Sequence, residues 1–261
     1  MTAQTPAELL AAPVGDRIQV SEGLSGFGGL HGGLSLAMLT SAMSGLVPGR
    51  QLRSATAQFL RPVRGEAAVR AWVLRHGRLM SATEATAATG DEVHVHASAL
   101  WGTGGGAAPS TLAPTAPEVP PPDDSPNFAI PPEIVPFGQH VEVRPVGPAR
   151  PFTGGPTPEL VAWIRLVADD LPPDELRMIT LVDALAPSYA AVMTVPGAVP
   201  TTELTVRPAV GLCSASSPWA LVRAITRSAT PDGWLDEQID VWGLDATYLA
   251  SAQQLRVVRP L

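Results

Sequence analysis

The chain has 261 residues, 45% of them hydrophobic, so it can bury the core of one large domain or of two average ones. Its formal net charge of −7 argues against nucleic acid, which selects basic surfaces. The single cysteine, Cys213, excludes an internal disulfide and a cysteine-based zinc site and suits a reducing compartment.

The N-terminal MTAQTPAELLAAPVG lacks the basic region and sustained apolar core of a secretory signal. No apolar run approaches the roughly 20 residues that span a bilayer. The expectation is a soluble cytoplasmic protein with no membrane and no nucleic-acid partner.

A strand-like DRIQV and a glycine-rich GLSGFGGLHGG open the first half. LSLAMLTSAMSGL follows, apolar nearly all round, as a helix buried on every side would be. Then come four strand-like runs, LRSATAQFLRPV, AAVRAWVLRHG, LMSATEATAATG and EVHVHASALWG. One buried helix followed by consecutive hairpin-joined strands predicts an antiparallel sheet curled round a helix.

Residues 102–136 are dense in proline and glycine and should be extended rather than helical or sheet-forming. They divide the chain into units at 1–101 and 137–261. The second unit repeats the order: HVEVRPV and ELVAWIRLVA are strands, PPDELRMITLVDALAPSYAAVM is helical, and TELTVRP, WALVRAITRSA, LDEQIDVWG and TYLASAQQLRVV are strands. Laying FLRPV over TVRPA and GDEVHVHASALW over GLDATYLASAQQ suggests a duplication. It sets Ala55 opposite Thr201 and Trp101 opposite Gln254.

Several kinds of chemistry lack their residues. No GxxxxGK[ST] cradle and no GxSxG elbow is present. His94 and His96 share a strand face without a third ligand at a supporting spacing, so no metal site is expected. Asp183 stands out. In LRMITLVDALAP it recurs with Leu176, Ile179 and Ala186 at helical spacing, so a carboxylate falls on an apolar stripe. Pro187 lacks the amide that would bond the Asp183 carbonyl, so the helix should kink there and leave free backbone polarity beside the carboxylate. A structural aspartate capping a second helical segment near Pro187 is the competing account. The adjacent Gln253 and Gln254 lie on a strand, where neighbours face opposite ways, so one of the two turns inward.

The order of LHGGLSLAMLTSA, FLRPVRGEAAVRAWVLRHGRLMS, EVHVHASALWG, AWIRLV, LVDALAPS, PTTELTV, DGWLDEQIDVWG and YLASAQQLRVV resembles that of TesB-type acyl-CoA thioesterases. The resemblance covers nearly the whole chain. It implies an α+β fold of two tandem hotdog domains, each an antiparallel sheet wrapped round a central helix. It also implies an Asp, Thr and Gln set that orients a hydrolytic water. By position the acid is Asp183, the hydroxyl Thr201 (with Thr202 competing) and the amide Gln254. Glu203 and Leu204 stand where family prototypes often carry Asp-His, a departure that bears on activity level or substrate range.

The expected activity is hydrolysis of an acyl-CoA by direct water attack, with Asp183 as general base and no cofactor. His31, Gly32 and Gly33 are the candidate substrate-binding residues, because amides at a helix start suit a polarised or anionic group. Close packing of the helix on the sheet would explain the glycines equally well. Family analogy suggests a homodimer or larger homo-oligomer. Two other classes compete: an acyl-CoA or lipid-binding protein without turnover, and a hotdog enoyl-thioester hydratase. The hydratase needs a His-Asp pair, and no aspartate lies near His31 in the sequence.

Overall fold

Inward alternation of small apolar residues builds the frame. The structure, a computed structural model, describes residues 5–11, 17–104, 112–168 and 170–259. Three α-helices and eleven strands follow one another along them. The first half holds α1 (Pro6–Ala11), β1 (Arg17–Gln19), α2 (Gly32–Ser44), β2 (Gln51–Phe59), β3 (Glu66–His76), β4 (Met80–Thr89) and β5 (Glu92–Gly102). The second holds β6 (Val141–Pro145), β7 (Glu159–Leu166), α3 (Glu175–Val182), β8 (Thr201–Pro208), β9 (Ala220–Ala229), β10 (Trp234–Gly243) and β11 (Tyr248–Val257).

All eleven strands form one sheet in the order β1-β3-β4-β5-β2-β8-β11-β10-β9-β7-β6, and the pairings are antiparallel. The halves join where β2 meets β8, with Thr56 opposite Thr205 and their hydroxyls 2.9 Å apart.

Ala55, Ala57, Ala85, Ala87, Val95, Ala97 and Ala99 are buried on β2, β4 and β5, alternating with more exposed neighbours as a half-buried strand requires. Side chains this small let α2 come close to the sheet. Leu34, Leu36, Met38, Leu39 and Met43 of α2 are fully or nearly fully buried, in keeping with a helix apolar all round. α2 packs on α3 as well as on the sheet, and one apolar core runs through both halves.

The helix of the second half is shorter than expected. It starts where Asp174 accepts from the Arg177 amide and ends at Val182, with Asp183 already outside helical geometry at φ −99° and ψ 2°. There is no kinked continuation through Pro187. Proline disfavours helical geometry in the residue before it, and the chain turns through 183–187 before one 3-10 turn at Ser188–Ala191.

Residues 112–136 of the proline-rich segment are packed down, and residues 105–111 lie outside the described residues. The Trp242 indole donates to the Pro114 carbonyl, Trp163 to that of Pro120 and Arg144 to that of Pro122. Ala116 and Val119 lie against a cluster of Trp163, Trp219, Leu221 and Trp242. The described part of the segment is largely extended, apart from one 3-10 turn at Pro122–Asp124, and the partners of these carbonyls are side chains of the sheet it crosses.

Glycines set the distance between α2 and α3. A Cβ on Gly33 would lie 2.7 Å from the Ile179 carbonyl oxygen and 2.9 Å from Asp183 Cβ, and one on Gly32 would lie 2.7 Å from Asp183 Oδ2. The tightest of these contacts are with α3 and its end, while the helix-on-sheet packing that the sequence suggested holds at Gly32, whose Cβ would also lie 3.2 Å from Phe59 of β2. Gly33→Ala should therefore destabilise the protein by about 1–3 kcal/mol through overpacking, measured by denaturant unfolding. An unchanged midpoint would show that the helices have room to separate.

Candidate active site

Asp183 lies at the C-terminal end of α3, where a helix dipole disfavours negative charge. Its side chain is only 8% exposed. A carboxylate so placed needs partners, and both halves supply them. Oδ2 accepts from the Gly33 amide at 2.8 Å, in the first turn of α2, where the dipole favours an anion. Oδ1 accepts from Gln254 Nε2 at 2.6 Å and from the Thr201 hydroxyl at 3.5 Å. The helix-start amide of Gly33 is thus engaged by the protein's own carboxylate.

Each strand presents its residue by alternation. Gln254 is completely buried, and its Oε1 accepts from no protein donor. Its neighbour Gln253 is exposed and donates to Asp236. Thr201 faces Asp183, whereas the Thr202 hydroxyl donates to the Leu255 carbonyl at 2.9 Å. That settles which threonine lies beside the carboxylate.

His31 caps α2, its Nδ1 accepting from the Leu34 amide at 3.4 Å, while Nε2 lies 3.0 Å from the Asp183 carbonyl oxygen. That carbonyl is the one Pro187 leaves without a helical partner, so the freed acceptor is taken up by the other half. The two contacts place the proton on Nε2. The ring stacks on Phe137 with centroids 3.9 Å apart. Burial pushes the imidazole below its ordinary value, outweighing the attraction of Asp183. Nε2 also lies 3.6 Å from Asp183 Oδ2, so an aspartate remote in sequence stands beside His31 after all. The competing account of Asp183 as a cap near Pro187 is not what forms: the Ser188 amide is bonded by Glu237 instead, at 2.5 Å.

Two charged residues escaped the sequence reading. Arg256 and Glu237 are 5% and 1% exposed, and Arg256 Nε donates to Glu237 Oε2 at 2.7 Å. Arg256 Nη1 reaches Thr201 Oγ1 at 2.8 Å, and Nη2 lies 3.8 Å from Asp183 Oδ1. The signal was present in the alternation: Arg256 shares a strand face with Gln254, and Glu237 shares one with Leu235 and Ile239. His94 and His96 stand apart from this site. His96 faces Glu84 at 3.6 Å, and no group of three metal-ligating side chains gathers among the described residues.

Residues 20–102 match the family model described as acyl-CoA thioesterase N-terminal domain, and residues 109–258 match that of the C-terminal domain. The chain belongs to the acyl-CoA thioesterase family. Solved structures agree on the fold. A hotdog-fold protein of unknown function from Alicyclobacillus acidocaldarius is 23% identical over 100% of both chains, with a TM-score of 0.88. Acyl-CoA thioesterase II TesB2 from Mycobacterium marinum is 18% identical over 98% of this chain and 99% of its own, with a TM-score of 0.77. A tesB protein from Mycobacterium avium subspecies paratuberculosis is 18% identical over 98% of both, with a TM-score of 0.74. No curated protein matches the sequence. The fold of this thioesterase-family chain is the double hotdog, with one Asp183-centred cluster between its two central helices. No helix among the described residues is long and apolar enough to cross a membrane.

The lowered value of His31 has a consequence for stability. Its ordinary value is 6.5, so below that pH the unfolded chain takes up a proton that the folded protein refuses, and stability falls as pH falls. His31→Gln keeps a donor near the Nε2 position but cannot titrate. Its stability should decline less steeply than that of the wild type between pH 6.5 and 5, by up to about 1.4 kcal/mol per pH unit. His140, also held low by burial, is common to both proteins and cancels. Parallel curves in denaturant titrations would contradict this.

Proposed function

We propose that the protein hydrolyses acyl-CoA thioesters by direct attack of a water oriented by Asp183, Thr201 and Gln254. The observation that carries this reading is the convergence of the Thr201 and Gln254 side chains on the buried carboxylate of Asp183. Asp183 is the general base. The donors around it fix the directions of both oxygens, and a water within reach gives it one proton as the water oxygen attacks the thioester carbon. Gln254 Oε1, buried without a protein donor, can accept a hydrogen bond from the water's other O–H. The C–S bond then breaks, Asp183 gives its proton back to the departing thiolate, and the acid and CoA leave; the thiolate needs little further assistance because thiols ionise near pH 8.5. No side-chain nucleophile enters, so no acyl-enzyme forms.

A hydratase reading gains one observation, the proximity of His31 and Asp183. It is weakened by the ring's contacts, since one nitrogen accepts from Leu34 and the other faces a carbonyl, leaving neither free to exchange a proton with a substrate.

Release of free CoA from a panel of acyl-CoAs tests the proposal. Wild-type protein should turn over at least one chain length. Asp183→Asn should lower kcat by about 10²–10⁴-fold, the range for loss of a general base, with an unchanged circular dichroism spectrum. Gln254→Ala should lower kcat in the same direction. Binding without CoA release at every chain length would favour a non-catalytic acyl-CoA-binding protein, and loss of the conjugated enoyl absorbance from enoyl-CoA without release of CoA would favour the hydratase.

A further inference from the structure

The two halves provide an internal control for the buried charges behind the site. One strand bulge recurs in each half. β2 and β5 pair Leu52 with Trp101 and then Ser54 with Leu100, leaving Arg53 as the extra residue. β8 and β11 pair Thr201 with Arg256 and then Glu203 with Leu255, leaving Thr202 as the extra. Superposing the bulges places Leu52 opposite Thr201, Trp101 opposite Arg256 and Ala99 opposite Gln254. The inward alternation agrees, matching buried Ala55 and Ala57 to buried Leu204 and Val206. These correspondences replace the ones suggested by sequence, which set Ala55 against Thr201 and Trp101 against Gln254.

The neighbouring strand extends the match. Ala99 pairs with Thr83 and Gln254 with Glu237, so Thr83 corresponds to Glu237. In the first half the Trp101 indole donates to the Thr83 hydroxyl at 2.7 Å. At the same place in the second half Arg256 donates to Glu237 at 2.7 Å. The fold can therefore fill this position with a neutral hydrogen bond. A buried ion pair carries a desolvation penalty that neutral groups avoid, and it stands only in the half that carries Asp183.

We propose that Arg256 is a positioning residue of this site and that Glu237 anchors it. Glu237 is fixed from both sides, Oε1 accepting from the Ser188 amide at 2.5 Å and Oε2 from Arg256. The guanidinium, held in that fork, donates through Nη1 to Thr201 Oγ1 and to the Val199 carbonyl at 3.5 Å. Thr201 then has an acceptor role already filled, and its one proton is left to point at Asp183 Oδ1. Nη2 at 3.8 Å from the same oxygen adds positive charge beside the carboxylate. Arg256 thus fixes the direction of the hydroxyl and the position of the acid without touching substrate. Lysine, a single ammonium without the planar fork, reproduces only part of this.

The inference rests on thioester hydrolysis at Asp183, and steady-state kinetics on purified protein tests both separately. Arg256→Met combined with Glu237→Gln removes both charges while leaving the Ser188 amide an acceptor. The folded double variant should lose at least 30-fold in kcat with KM within about threefold of wild type. Arg256→Lys should recover part of the loss. In a Thr201→Val background, Arg256→Met should cost little more, because neighbours acting through one another are non-additive. Wild-type kcat in a folded double variant, or full additivity with Thr201→Val, would overturn the positioning role and leave the thioesterase reading standing. A wild type inert towards every acyl-CoA would overturn both. Should the double variant not fold, Arg256→Lys and the Thr201→Val cycle decide the matter.

Discussion

A single carboxylate shared by two helices governs this structure. Asp183 ends α3 and, through the Gly33 amide at 2.8 Å, caps α2. At the end of its own helix the charge is unfavourably placed, and at the start of the other it is favourably placed. The site therefore exists only if the halves hold α2 and α3 together. That requirement explains the glycines at 32 and 33, whose absent Cβ atoms would strike α3, and the sheet that continues from β2 into β8. It also explains why His31 reaches across to the Asp183 carbonyl.

The halves divide the work unequally. The first supplies a helix start, a capping imidazole and an alanine-lined inner face. The second supplies the acid, the hydroxyl and the amide, with a buried arginine and glutamate behind them. The matching bulges show where the division arose: Leu52, Ala99, Thr83 and Trp101 occupy the places of Thr201, Gln254, Glu237 and Arg256. Polar groups at those places carry a cost in burial, and they are concentrated in one half.

Much of this was legible in the sequence because the signals were local. A helix apolar all round, strands that alternate and a proline-dense join each follow from nearest neighbours. The freed Asp183 carbonyl was legible too, since a proline four residues on removes its partner. What took that carbonyl was not, because His31 is brought there by tertiary packing. The same reason hid the His31 and Asp183 pair. Periodicity showed that one of Gln253 and Gln254 turns inward, and the family resemblance chose Gln254, the one that is buried. The correspondence of the halves was misaligned because few letters repeat and a one-residue bulge is invisible in a string. Arg256 and Glu237 were passed over because charged residues on strands ordinarily face water, although their alternation with Gln254, Leu235 and Ile239 turned both inward.

The most direct test of the account is a single turnover of acyl-CoA by excess protein in ¹⁸O-labelled water, with mass analysis of the acid and of the intact protein. Water attack at Asp183 predicts one solvent oxygen in the acid from the first turnover and no mass added to the protein. An unlabelled first-turnover acid, or an acyl group attached to the chain, would contradict it.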